Sequence, residues 1–147
     1  MNYMSSSGTS MRVLVADHQC EQRIVIEKSL GILRYFRVCP VASFRELTML
    51  THYSPNLYDR FDLLIVNADL ISAAGLNVVD FCVNNPRLRH VLIYGSPPGG
   101  AKTLSDQPHH QVRRIDTISY EALVDFLWLI DKNVIDNTIG PSSIGLA

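Results

Sequence analysis

A chain of 147 residues has the length of one domain and can bury a core without disulfides or metals. Hydrophobic residues make up 47% of it and charged residues 18%, which excludes an intrinsically disordered chain. Thirteen basic residues against fourteen acidic ones argue against direct nucleic-acid binding, and no apolar run reaches the length that a membrane span needs.

The ends of the chain differ in composition from its middle. Residues 1–10 are polar, uncharged and rich in serine, and they lack the basic start and apolar middle of a signal peptide. We therefore predict a disordered tail at residues 1–10 and a cytoplasmic protein. The folded domain is expected to span residues 11–134, and residues 135–147 are expected to form a tail or a linker stub.

Apolar runs alternate with helical patterns along the domain. The predicted strands are residues 12–16, 36–42, 62–66, 91–94 and 112–115, and the main predicted helices are residues 20–33, 76–84 and 121–134, with another after Ser43. Pro40 marks the second strand as an edge strand, because proline has no N–H to donate. The pattern predicts a doubly wound α/β domain with a five-stranded parallel sheet in the flavodoxin-like order 2-1-3-4-5.

The segment between the fourth and fifth strands is rich in helix breakers. It begins Pro97-Pro98-Gly99-Gly100 and contains Pro108, so it has room for two helical turns at most. We interpret it as a remodelled surface loop, with a dedicated binding loop as the alternative.

Several polar residues follow the ends of the predicted strands. In a doubly wound sheet, ligands bind at the carboxyl ends of the strands. The candidate site residues at that edge are Asp17, His18, Asn67, Asp69, Gly95, Ser96 and Asp116. Asp17 is also expected to help cap the helix that follows it.

Residues 11–132 resemble the receiver (CheY-like) domain of two-component response regulators. The stretches that carry the resemblance are Val13-Leu14-Val15-Ala16-Asp17-His18, Asp62 to Val66 leading into Asn67, Gly75, and Ile118 to Leu123, the last similar to the NarL/FixJ subgroup. The resemblance implies a flavodoxin-like fold and a role in phosphorelay signal transduction, with phosphoryl transfer to an aspartate beside Mg²⁺.

Most of the residues that this chemistry needs are replaced, although Asp17 is kept. Asn67 stands at the position of the phosphoacceptor, and an amide is not a competent nucleophile. His18 replaces an acidic metal ligand, so Asp17 is left as a weak candidate for a metal ligand. Gly95 falls on the family's Ser/Thr switch position, unless a slip of one residue puts Ser96 there. Asp116 replaces a lysine, and its negative charge would repel a phosphoryl group.

We therefore predict an atypical receiver domain that is not an enzyme and has no metal or cofactor. It would act through protein partners or a homodimer, without phosphorylation. The resemblance implies an interface on the last helix, at Leu123, Leu127 and Trp128, although Trp128 filling the core is an equal alternative. The stretch Gly140-Pro141-Ser142-Ser143 would suit a linker to an output domain.

Two other functions remain open at this stage. In the first, the domain accepts a phosphoryl group on Asp69, with Asp17 and Mg²⁺. In the second, a flavodoxin-like domain binds a small ligand through the loop from Gly95 to Gly100.

Overall fold

The computed structural model describes residues 10–51, 60–95 and 102–131. Within them lie the strands β1 (Val13–Ala16), β2 (Val38–Val41), β3 (Phe61–Asn67), β4 (Leu88–Tyr94), β5 (Lys102–Gln107) and β6 (His110–Arg114). The helices are α1 (Cys20–Ile32), α2 (Phe44–Thr51), α3 (Ala68–Ser72), α4 (Val78–Val83) and α5 (Tyr120–Ile130). The predicted tails, apart from residue 10, lie outside the described residues.

The strands form one sheet in the order β2-β1-β3-β4-β6-β5. Every neighbouring pair is parallel except β5 and β6, which are antiparallel. The domain is therefore α/β with a mostly parallel sheet of six strands. The prediction of five strands in the order 2-1-3-4-5 is wrong in strand count and order, because residues 102–107, expected in a loop, form the additional edge strand β5.

The edge position predicted for the second strand is confirmed. Pro40 lies in β2, which ends the sheet and pairs with β1. A proline is tolerated there because an edge strand does not need every N–H for pairing.

The core lies on both faces of the sheet. In β1, Leu14 and Ala16 contribute to the cluster under α2, α3 and α4, whereas Val13 and Val15 contribute to the cluster under α1 and α5. Successive strand residues point to opposite faces, so a strand covered on both sides is apolar throughout. The described part of the chain contains no helix long and apolar enough to cross a membrane.

The helix bounds differ from the predicted ones where short polar side chains cap the backbone. Asn67 caps α3, a helix that the sequence pattern did not predict. Asn77 caps α4, which begins at Val78, two residues after the predicted start. Ser119 caps α5, which ends at Ile130, whereas the predicted helix runs to residue 134. A side-chain oxygen that accepts from the first-turn N–H groups fixes where each helix begins.

Candidate functional site

Asp17 lies at the carboxyl end of β1 and is 1% exposed. Its Oδ1 accepts a hydrogen bond from the Gln19 N–H at 2.9 Å. Its Oδ2 accepts from the Tyr94 hydroxyl at 2.6 Å and from Asn67 Nδ2 at 3.2 Å. The buried carboxylate therefore has hydrogen-bond donors at both oxygens, which is what stabilises a charged group away from water.

Tyr94, the last residue of β4, provides the shortest of these hydrogen bonds. Burial raises the pKa of its phenol, and the hydrogen bond to Asp17 and the charge of that carboxylate raise it further. The hydroxyl therefore keeps its proton at neutral pH and acts as a donor to Asp17.

Asn67 ends β3 directly beside Tyr94, its neighbour in the strand register. Its Nδ2 donates to Asp17, and its Oδ1 accepts from the Asp69 N–H at 2.9 Å to cap α3. An aspartate could still accept from that N–H, but an ionised carboxylate could not donate to Asp17. The amide is thus the side chain that satisfies both neighbours.

Gly95 follows β4 in a left-handed conformation, with φ of +80°. A Cβ at this position would lie 2.9 Å from Asn67 Oδ1, which is closer than non-bonded atoms allow. The Gly95 N–H donates to the Asp116 carbonyl at 2.9 Å, so the backbone here links β4 to the segment after β6. Only a residue without a side chain fits both the backbone angle and the space beside Asn67.

We call the set Asp17, Asn67, Tyr94 and Gly95 the Asp17 cleft. The structure brings together Asp17, Asn67 and Gly95, three of the candidate site residues. Tyr94 was missed, because it ends an apolar run and was interpreted as part of a strand. A buried tyrosine hydroxyl needs a partner, and that requirement is the signal that could have identified it.

The other candidate residues have different surroundings. His18 is exposed, Asp69 is exposed in the first turn of α3, and Asp116 is exposed and contacts Gly95 through its backbone carbonyl. Ser96 and the rest of the predicted binding loop up to Gly100 lie outside the described residues.

Asp17 does not cap α1 in the expected way. Its Oδ1 accepts a hydrogen bond from the N–H of Gln19, the residue before the first helical residue. No side chain caps the first turn of α1. The guanidinium of Arg23 donates to the Asp17 carbonyl at 2.6 Å, which holds the turn between β1 and α1 from the helix side.

The described residues contain no cluster of three or more His, Cys, Asp or Glu side chains arranged to hold a metal ion. Asp17, the weak candidate for a metal ligand, has its two oxygens hydrogen-bonded as described above. A cation at this carboxylate would have to displace the Tyr94 or Asn67 donors.

The residues predicted for an interface on the last helix have different environments. Leu123 and Leu127 are buried in the core, and Trp128 is partly buried against the same cluster. The far end of α5 is held by the Tyr35 hydroxyl, which donates to Asp131 Oδ2 at 2.6 Å. An interface at this helix stays a prediction, and Leu123 and Leu127 already serve the core.

No family model, curated protein or solved structure matches this chain. The function is therefore proposed from the geometry of the cleft and from the resemblance noted in the sequence.

Proposed function

We propose that this chain is an atypical receiver domain that signals through phosphorylation-independent protein contacts and is not an enzyme. One observation carries the proposal: the buried Asp17 carboxylate is held by neutral donors from Tyr94, Asn67 and Gln19. In a working receiver, the corresponding carboxylate is expected to help bind Mg²⁺.

The energetics of the Asp17 hydrogen bonds oppose metal binding. A hydrogen bond to a charged group contributes about 1.5–3 kcal/mol, and the Tyr94 bond is short at 2.6 Å. Mg²⁺ gives up its own water reluctantly and needs near-ideal octahedral geometry. Displacing protein donors in order to bind such an ion to one carboxylate is therefore unfavourable.

The chemistry of Asn67 opposes phosphoryl transfer. Its amide nitrogen is a donor to Asp17, and its oxygen is occupied in capping α3. A nucleophile for phosphorus needs an available electron pair on an activated atom. This side chain acts as a structural bridge between β1 and α3.

The topology supports a receiver-like sheet. The five mutually parallel strands lie in the order β2-β1-β3-β4-β6, an order that is compatible with a flavodoxin-like domain. On this interpretation, β5 is an insertion that pairs with the outer side of β6. Residues 102–109 form β5 and its turn into β6, in a segment where a receiver domain is expected to have a helix.

Phosphoryl acceptance by Asp69 is the alternative that this proposal disfavours. Asp69 is exposed in the first turn of α3, and its N–H is bonded to Asn67. That alternative also requires Asp17 as a metal ligand, and Asp17 is engaged by its three donors. No observation on the described residues favours the small-ligand alternative.

The test is the intact mass of the full chain after incubation with a small phosphodonor and Mg²⁺. We expect the mass to stay unchanged in the wild type, while a phosphorylatable receiver domain treated in parallel gains one phosphoryl group. A single adduct on the wild-type chain would refute the proposal. If it disappears in Asp69→Ala and persists in Asp80→Ala, an exposed residue in the first turn of α4, the acceptor is Asp69.

A further inference from the structure

The outward face of α1 combines apolar and charged side chains. Ile24 is 45% exposed and Val25 is 58% exposed, and they stand between the exposed Glu21 and Lys28. We call these four residues the α1 face. The opposite side of the helix packs its buried residues into the core beside α5.

The charges on the α1 face have no opposite charge within their own helix at the spacing that allows pairing. Ion pairs on a helix form three or four residues apart. Glu21 has Ile24 and Val25 at those positions within the helix. Lys28 has the same two residues before it and Gly31 and Ile32 after it, and none of these is charged. Glu21 and Lys28 are seven residues apart, about 10 Å along the helix axis, which is too far for them to pair directly.

The sequence of the α1 face is complementary to itself in the antiparallel direction. A two-fold axis placed between Ile24 and Val25 brings each isoleucine against the valine of the second helix. The same axis brings each Glu21 level with Lys28 of the second helix. Helices pack with their axes 8–10 Å apart, a distance that glutamate and lysine side chains can span.

We propose that two copies of this chain associate through the α1 face, with their α1 helices antiparallel about a two-fold axis. The second copy is the occupant because the face supplies both halves of the match, apolar against apolar and acid against base. A closed two-fold interface must be self-complementary in this way. The apolar surface continues to Ile32, which is 66% exposed one turn beyond Lys28.

This inference deepens the proposed function and rests on it only for the claim that the domain works through protein contacts. It gives those contacts a location on the α1 face, which shares no residue with the Asp17 cleft or with the three residues predicted on the last helix. The labelling experiment and the association experiment have separate readouts, so each proposal can fail alone.

The experiment is sedimentation of the full chain over a wide range of concentration, with charge-reversal variants. We expect a reversible monomer–dimer equilibrium in the wild type. Glu21→Lys or Lys28→Glu alone converts both symmetric ion pairs into like-charge contacts and should weaken the dimer roughly tenfold or more. The double variant Glu21→Lys/Lys28→Glu exchanges the charges and should restore the wild-type affinity.

Glu27→Lys is the matched control, because it makes the same charge change on another side of α1. Glu27 comes six residues after Glu21, which at 3.6 residues per turn places it about 120° around the helix axis from Glu21, and it is half-buried. We expect Glu27→Lys to dimerise like the wild type, and circular dichroism to give the same helix content for all variants.

A wild type that remains monomeric at every concentration would overturn the inference. So would single charge reversals that leave the dimer unchanged, or a double variant as weak as the singles. A monomeric wild type that also gains no phosphoryl group would remove the α1 interface and leave the proposed function standing.

Discussion

Replacing Tyr94 with phenylalanine removes one hydroxyl and keeps the ring that fills the core. The side chain is 3% exposed, and its hydroxyl donates to Asp17 at 2.6 Å. Because the ring remains, the variant leaves no cavity of the kind that a larger truncation would create. The measured change therefore reports the hydrogen bond and the carboxylate that loses it.

The expected loss follows from the two groups involved. A hydrogen bond to an ionised partner contributes about 1.5–3 kcal/mol, and the donors from Asn67 and Gln19 remain in place. We therefore expect Tyr94→Phe to lower the free energy of unfolding by about 2 kcal/mol. For a domain of this size, the melting temperature should fall by roughly 4–8 °C.

The assay is urea denaturation followed by circular dichroism, with Tyr120→Phe as the matched control. Tyr120 is 38% exposed at the start of α5, so loss of its hydroxyl should change stability by less than about 0.5 kcal/mol. The denaturant slope should stay constant, because the surface exposed on unfolding is the same. If Tyr94→Phe is as stable as the Tyr120 control, the Asp17 network contributes nothing measurable and this reasoning is refuted.

Other substitutions test the same structure. Asn67→Asp places a second carboxylate at hydrogen-bond distance from Asp17. Urea denaturation should show that the free energy of unfolding falls by about 2 kcal/mol at neutral pH. Part of this stability should return in acid, where one of the two carboxylates binds a proton. Burial lowers the pKa of His90 to about 4, with Arg89 adding to the effect. Because an unfolded histidine titrates near pH 6.5, stability should fall as pH drops from about 6.5 to about 4, and a pH series of melts should show less of this fall in His90→Asn. Gly95→Ala should lower the free energy of unfolding by about 2 kcal/mol, because the backbone angle and the nearby Asn67 side chain both oppose a Cβ. Gly31→Ala should raise the melting temperature by a few degrees, because alanine favours a helix and its Cβ would contact no side chain within 4 Å.

The apolar pattern predicts the central strands because strands buried on both faces consist of continuous apolar residues. β1 and β3 are covered on both faces, so nearly every side chain must be apolar. β5 leaves no such trace: Lys102, Asp106 and Gln107 are exposed, and the strand is held by backbone pairing with β6. Pairing with a partner strand is tertiary information that a polar edge segment does not carry in its own residues.

The position of the candidate site was predictable from the order of the strands. Parallel strands place their carboxyl ends at one edge, and Asp17 and Asn67 are the residues at those ends. The pairing of Tyr94 with Asp17 was not predictable, because the two residues lie 77 residues apart and the need of a buried hydroxyl for a partner does not say which partner it has. The role of Gly95 likewise depended on the position of the Asn67 side chain, which only the fold defines.

We propose that the hydrogen bonds from Tyr94, Asn67 and Gln19 to Asp17 keep cations out of the Asp17 cleft. The side-chain amide of Asn67 reports this directly in proton–nitrogen NMR spectra, because its Nδ2 donates to Asp17 inside the cleft. We expect the Asn67 amide resonances to stay in place when Mg²⁺ is added, alone or with beryllofluoride as a phosphoryl mimic. A saturable shift of those resonances on adding Mg²⁺ would show that the cleft opens to a cation and would contradict the claim.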